Sequence, residues 1–500
     1  MVSKQLSWAW YIALVAAGCE TLVGFDGSVF NAIQANSYWL AWFNTPKGNL
    51  LGLVNTSTAI SSIIIGWFLA SPVTDYLGRR WGIGIGCFCA VLGAVVQGVS
   101  PKHNLACFIA GRVILGVGTG FTASAGPVYM GEVTPARIRG TVMSFWQMNY
   151  SVGAFIGFWA NYACGKNEEK LGNWSWRIVV ILQLVIPVFI CLNLPFMPES
   201  PRWCIQKGNQ FERAENILRT IRETEEEVQA EMLSIREAIE FEKEVIAENS
   251  YLTLWKDKSV RKRLIIVGLL NVGQQLTGQS TLAQYSSTIY KKVWTSASTI
   301  NLINAINATF SIIFTLNATW MADRFGRRFL LIAGAIGMSA AMMIVPIVGL
   351  ETPNTPEGGK SEPVGIAIVA MLFVFIFFYK PSWGAAVWIV SAEVFSMNVR
   401  MQAVGMCVQM QNIAGSIFNQ FFPTFYANCG LKSFFFFMSC NITLALYAWW
   451  FLPETKKVSL EEMDVLFGGA NHTEKGSELL DVQVKSTEVI HQETKNSDLV

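Results

Sequence analysis

Apolar residues run in long windows along this chain, at 8–30, 50–70, 81–99, 105–126, 141–164 and 176–196, and again at 264–290, 299–321, 329–350, 364–392, 402–426 and 430–452. Each approaches the ~20 residues that a helix needs to cross a hydrocarbon core. The pattern therefore predicts an all-α membrane protein with twelve transmembrane helices in two pseudo-symmetric six-helix bundles, 1–200 and 264–455. Between them lies a polar insert, 201–263, with helix-forming residues and apolar positions at Ile217, Leu218, Ile221, Val228 and Met232. It reads as short helices outside the bilayer. The tail, 456–500, is rich in Glu, Lys, Ser and Thr and is expected to be mostly disordered. No small-residue cleavage site follows the first apolar run, so that run is expected to stay on the chain.

Composition agrees with the windows: 52% of residues are hydrophobic and only 14% charged. Lys plus Arg number 37 against 35 Asp plus Glu, a net charge of +2 that gives no electrostatic reason for a nucleic-acid partner. The ten cysteines are scattered through apolar runs and read as packing residues. The chain carries no phosphate loop, metal cluster or nucleophile triad, so neither an enzyme nor a cofactor or metal is expected. Short loops on the two sides carry equal numbers of Lys and Arg. The charged insert and tail then decide the orientation, with both termini in the cytoplasm. Among the Asn-x-Ser/Thr sequons, Asn173 falls in an outer loop and is the candidate for glycosylation.

The halves echo each other. Asp75-Tyr-Leu-Gly-Arg-Arg80 recurs as Asp323-Arg-Phe-Gly-Arg-Arg328, Glu132 with Arg139 as Glu393 with Arg400, and Pro198-Glu-Ser as Pro453-Glu-Thr. Such duplication is how many transporters build two bundles that rock about a midplane site. Asp75, Arg79, Arg80, Glu132 and Arg139, with Asp323, Arg327, Arg328, Glu393 and Arg400, read as an inner gate of salt bridges; the plainer reading is a set of topology-setting arginines. Asp26 in the first span and Arg112 in the fourth are charges that lipid would penalise. At about 1.5 Å per residue Asp26 lies roughly 27 Å from the inner end of its span and Arg112 roughly 10 Å from the outer end of its own, which puts both in the outer half. A buried pair of this kind serves either proton coupling or structure.

The seventh span carries Gln274, Gln275, Ser280, Gln284 and Tyr285, and Gln147, Trp383, Trp388, Gln409, Gln411 and Asn412 extend the same chemistry elsewhere. Amides and hydroxyls inside apolar helices must face the bundle interior, where they suit a ligand covered with hydroxyls. Lys380, beside Pro381, either neutralises an internal carboxylate such as Glu20 or attracts an anionic ligand.

These marks resemble the sugar porter family of the major facilitator superfamily, and most closely its fungal members. The likeness rests on Gly24-Phe-Asp26, Asp75 to Arg80, Gly111-Arg112, Pro127 to Gly140, Pro198 to Trp203, Gln274-Gln275, Asp323 to Arg328, Glu393 with Arg400, and Pro453 to Lys456. It implies a plasma-membrane importer of a sugar or sugar acid, working as a monomer by alternating access. Asp at position 26 implies proton symport, because passive carriers commonly have Asn there. Gln147, Gln274, Gln275, Trp388 and Gln411 match the family's sugar contacts. Gly278-Gln-Ser280, Gln284, Asn412, Ala385 and Ser396 depart from the glucose pattern, and Lys380 makes a uronic acid the leading specific variant. A facilitative carrier, a nontransporting sensor and a metabolite exporter are the alternatives.

Overall fold

The computed structural model describes residues 4–208, 210–248, 255, 258–291, 293, 294, 296–353, 360–395 and 397–455. The side chains of Arg139, Gln147, Asp323, Glu393 and Arg400 lie outside the described part, as does the tail. Among the described residues every regular element is helical. The first half comprises α1 (Lys4–Ile33), α2 (Asn49–Leu77), α3 (Arg79–Gly98), α4 (Leu105–Val133), α5 (Ala136–Lys166) and α6 (Trp174–Phe196). The second comprises α9 (Lys258–Leu276), α10 (Gln279–Tyr290), α11 (Ala297–Phe325), α12 (Arg327–Glu351), α13 (Glu362–Glu393), α14 (Met397–Cys429) and α15 (Ser433–Phe451). The insert supplies α7 (Phe211–Ile221) and α8 (Glu225–Glu248).

Among the described residues, nine helical stretches are long and apolar enough to cross a membrane, which makes this a multi-pass membrane protein. One of the nine, Ala403–Phe451, contains most of α14 and all of α15. Gly278, at φ +92°, breaks the helix between α9 and α10, where amides and hydroxyls crowd the sequence.

Small residues set the packing in the first half. A Cβ on Gly118 would sit 2.6 Å from the Gly86 carbonyl oxygen of α3, and one on Gly116 2.4 Å from the Thr58 carbonyl oxygen of α2. Helices this close gain dispersion contacts that lipid cannot supply. At the end of the bundle that carries the insert, Leu218, Ile221, Val228 and Met232 are buried in one cluster with Ile12, Ile83 and Met130. Arg222 fixes the dock: its guanidinium donates to the Val133 carbonyl at 3.0 Å and pairs with Glu231.

The opposite, distal end is closed by hydrogen bonds between the halves. Asn31 on α1 donates to the Ala283 carbonyl and to Ser286 Oγ, and accepts the Ser287 N–H at 3.2 Å. Gln34, a turn later, donates to the Gln284 carbonyl and accepts from Thr288 and, through its own carbonyl, from Lys291 Nζ at 2.7 Å. On the other side of the interface, Gln420 and Thr424 of α14 donate to Asn49 at the start of α2.

Candidate functional site

Asp26 and Arg112 meet inside the first half. Arg112 donates to Asp26 Oδ1 through Nη1, and both residues are buried, at 6% and 2% exposure. Gln183 Nε2 donates to the same oxygen at 3.0 Å, Arg112 Nε reaches the Val54 carbonyl at 3.4 Å, and the Phe30 ring lies 4.9 Å beneath the guanidinium. The third partner has a local cause. Pro187 clashes with the carbonyl four residues earlier, which belongs to Gln183. There α6 breaks into Trp174–Leu182 and Val185–Asn193, and the Gln183 side chain turns to the carboxylate. A carboxylate held by one guanidinium and one amide in an apolar bundle is worth a great deal more paired than unpaired.

Between the halves lies a cavity of about 160 Å³. One wall is Gly24, Ser28, Tyr150 and Ser151 of α1 and α5; the other includes Gln279, Ser280, Gln284, Asn304, Asn307 and Lys380. Such a space exceeds the ~10–15 Å³ that one water needs by about tenfold. Ser280 and Lys380 line it. Gln274 does not line it: its Nε2 donates to the Trp383 carbonyl at 2.7 Å, while its Oε1 is buried without a hydrogen-bond partner. Tyr285 is buried with its hydroxyl on the Asn419 carbonyl at 2.7 Å. Gln275 packs on α14 near Gly415, Gln411 is buried, and Trp388 and Asn412 are exposed; none of the four lines this cavity. The side-chain oxygens of Gln275, Gln279, Gln284, Gln409 and Gln411 are buried without a hydrogen-bond partner. That many unmatched amides in one bundle are costly unless a polar ligand or water meets them.

At the insert end, Arg79 donates to Glu132 at 3.1 and 3.3 Å and contacts Asp75 at 3.1 Å, tying the ends of α2, α3 and α4 within one half. Ser200 Oγ donates to Glu132 as well, at 2.5 Å. The Pro-Glu-Ser/Thr repeat has a role that the spacing did not reveal. Glu199 accepts the Arg80 N–H at 3.2 Å, and Glu454 accepts the N–H groups of Arg327 and Arg328 at 2.9 and 3.1 Å. Each carboxylate thus caps the helix that follows the repeated loop, where orphan N–H groups and the dipole favour an anion. Gly78 and Gly326 turn at φ +109° and +88°, and a Cβ there would lie 2.3 and 2.7 Å from the capping carboxylate. Burial pushes the Glu199 carboxyl above the usual range, against the pull of the backbone N–H groups it accepts and of Arg79.

Residues 12–467 match the family described as Sugar (and other) transporter. The chain belongs to that family. A quinate permease of Emericella nidulans is 27% identical over 479 residues, covering 92% of this chain and 89% of that one. A probable quinate permease of Aspergillus terreus is 28% identical over 484 residues, with 92% and 87% covered. The inward-open structure of the xylose transporter XylE from E. coli superposes with a TM-score of 0.76 at 24% identity over 92% of this chain and 99% of that one. The structure of that major facilitator superfamily symporter bound to 6-bromo-6-deoxy-D-glucose gives 0.70. The fold is the major facilitator fold.

In this transporter, several residues that matter to the site escape a reading by motif. Gln183 is a lone amide in an apolar span, a signal visible in the sequence but without an assigned partner. Asn304 and Asn307 stand at helical spacing in α11, and Asn304 bonds Ser286 and Ser287 at 2.7 and 2.8 Å. Glu20, the alternative partner for Lys380, forms no ion pair with it.

Proposed function

We propose that this transporter imports a sugar or sugar acid together with a proton, alternating access between two six-helix bundles of a twelve-span membrane domain. The observation that carries the reading is the buried contact of Asp26 with Arg112 beside an interface cavity lined by amides and hydroxyls. Protonation of Asp26 removes its charge and loosens the hold of Arg112, which frees α1 and α4 to shift. Reset then follows proton release on the other side. The relatives named quinate permeases support a polyhydroxylated ring as cargo, since quinate belongs to the same chemical class as the sugar acids.

In this reading the chain acts as a monomer in the plasma membrane with both termini in the cytoplasm. The repeated loops with Glu132, Arg139, Glu393 and Arg400 form the inner gate, and Asn173 is the outer sequon. Uptake of radiolabelled substrate against its gradient, in cells lacking other carriers, tests the coupling. Asp26→Asn is expected to lose accumulation at least tenfold while retaining exchange of substrate across the membrane. Retained uphill uptake in that variant assigns the coupling elsewhere.

A further inference from the structure

We infer that Lys380 is the carboxylate-binding residue of the cavity, so that the preferred cargo is a monoanionic, polyhydroxylated ring acid; this rests on the transport reading above. Among the described residues that line the cavity, Lys380 is the only one bearing a full charge. Among the described residues no carboxylate lies within 4.0 Å of its ammonium: Glu20 forms no ion pair with it, and Asp26 is already taken by Arg112 and Gln183. An ammonium enclosed in a membrane bundle without a counter-charge is expensive. A charge retained at such a place is compensated when the ligand brings the opposite one.

The backbone explains why this side chain faces the cavity. Pro381 has no N–H to continue the ladder, and residues Lys380–Ala386 adopt a π-helical turn. That turn is fastened on its far side. Trp383 Nε1 donates to the Leu331 carbonyl of α12 at 2.9 Å, and Gln274 of α9 holds the Trp383 carbonyl. Ser382 also packs so tightly on Gly334 that a Cβ there would sit 2.1 Å from its oxygen. With 382 and 383 fixed against neighbouring helices, position 380 is left toward the interface. Around it the cavity offers the unmatched amides of Gln279 and Gln284 for ring hydroxyls, and Phe375 and Leu372 for the apolar face. Lys380 belongs to the second half, whereas Tyr150 and Ser151 belong to the first. A ligand whose acid end sits on Lys380 and whose hydroxyls reach α5 would join the two halves.

The test uses the purified full chain in nanodiscs, with binding followed by quenching of tryptophan fluorescence and no proton gradient imposed. The probes are quinate and D-galacturonate, each against an uncharged counterpart, methyl quinate and D-galactose. At least one acid is expected to bind tenfold or more tightly than its counterpart. Lys380→Gln is expected to bring that ratio near one, and Lys380→Arg to keep most of it. Equal affinity for acids and counterparts in the unaltered protein, a ratio that Lys380→Gln leaves unchanged, or binding of none of the four overturns the assignment. The acid-to-counterpart ratio of the unaltered protein needs no variant, so a misfolded substitution does not shield the inference. Acid-selective binding without uphill uptake overturns the proton-coupled reading alone, and uphill uptake of D-galactose with no preference for acids overturns this one alone.

Discussion

Glu199 faces two opposing influences at the insert end. Burial disfavours its charge, and the N–H groups at the head of α3 favour it; burial prevails, and the carboxyl lies above the usual carboxylate range. The sign of the consequence follows from proton counting. With the folded-state value raised above the unfolded one, the folded chain holds the extra proton, so this group stabilises at pH below the ordinary 4.5 and the contribution is lost as pH rises through the raised value. Glu199→Gln, which cannot ionise, is expected to flatten that part of the pH dependence of thermal unfolding. The measurement is the midpoint of tryptophan fluorescence between acid and neutral pH, and an undiminished slope in the variant counts against Glu199 as its source. Position 78 is as constrained as position 199. Its φ of +109° and the carboxylate 2.3 Å from any Cβ leave room for glycine alone, which is why the repeated Asp-x-x-Gly-Arg-Arg loop has glycine there.

At the scale of elements, three breaks in the described helices bear on the site. Pro187 interrupts α6 at Gln183, Pro381 sets the π turn of α13, and Gly278 separates α9 from α10. Freed backbone in a membrane bundle must be met by side chains, and here Gln274 meets it at Trp383. The short α10 is also the element that closes the distal end. Asn31 contributes three hydrogen bonds to it. At roughly 0.5–1.5 kcal/mol each, their loss is worth about tenfold or more in the balance between closed and open states. Asn31→Ala is therefore expected to speed the reaction of a cysteine placed at Ala283 with a membrane-impermeant maleimide by about that factor. An unchanged rate, relative to the same cysteine with Asn31 intact, removes these bonds from the closing interaction. Lys291, at the end of α10, is pushed down to about 8 by burial and joins the same closure through the Gln34 carbonyl.

For the whole molecule, charge balance ties the two proposals together. A monoanionic ring acid carried with one proton moves no net charge across the membrane, whereas a neutral sugar with a proton moves one. Uptake of the acid into proteoliposomes is expected to be unaffected by a potassium-valinomycin potential and to respond to a pH gradient; marked voltage dependence at constant pH contradicts a one-to-one stoichiometry. The sequence by itself determined the solvent of the chain, because apolar windows of spanning length have no other way to hide their surface. It also determined the duplication, since the loop motifs repeat in order, and the presence of two costly charges at Asp26 and Arg112. Hydropathy says that a polar side chain in a span must turn inward, but not which neighbour it meets. Only the tertiary structure decided that Gln183 joins the Asp26 pair, that the Tyr285 hydroxyl and the Gln274 Nε2 donate to backbone carbonyls, and that Lys380 faces a cavity without a carboxylate partner among the described residues. Those outcomes depend on rotation and breaks of helices packed against each other, and such long-range geometry leaves no periodic trace in a single chain of letters.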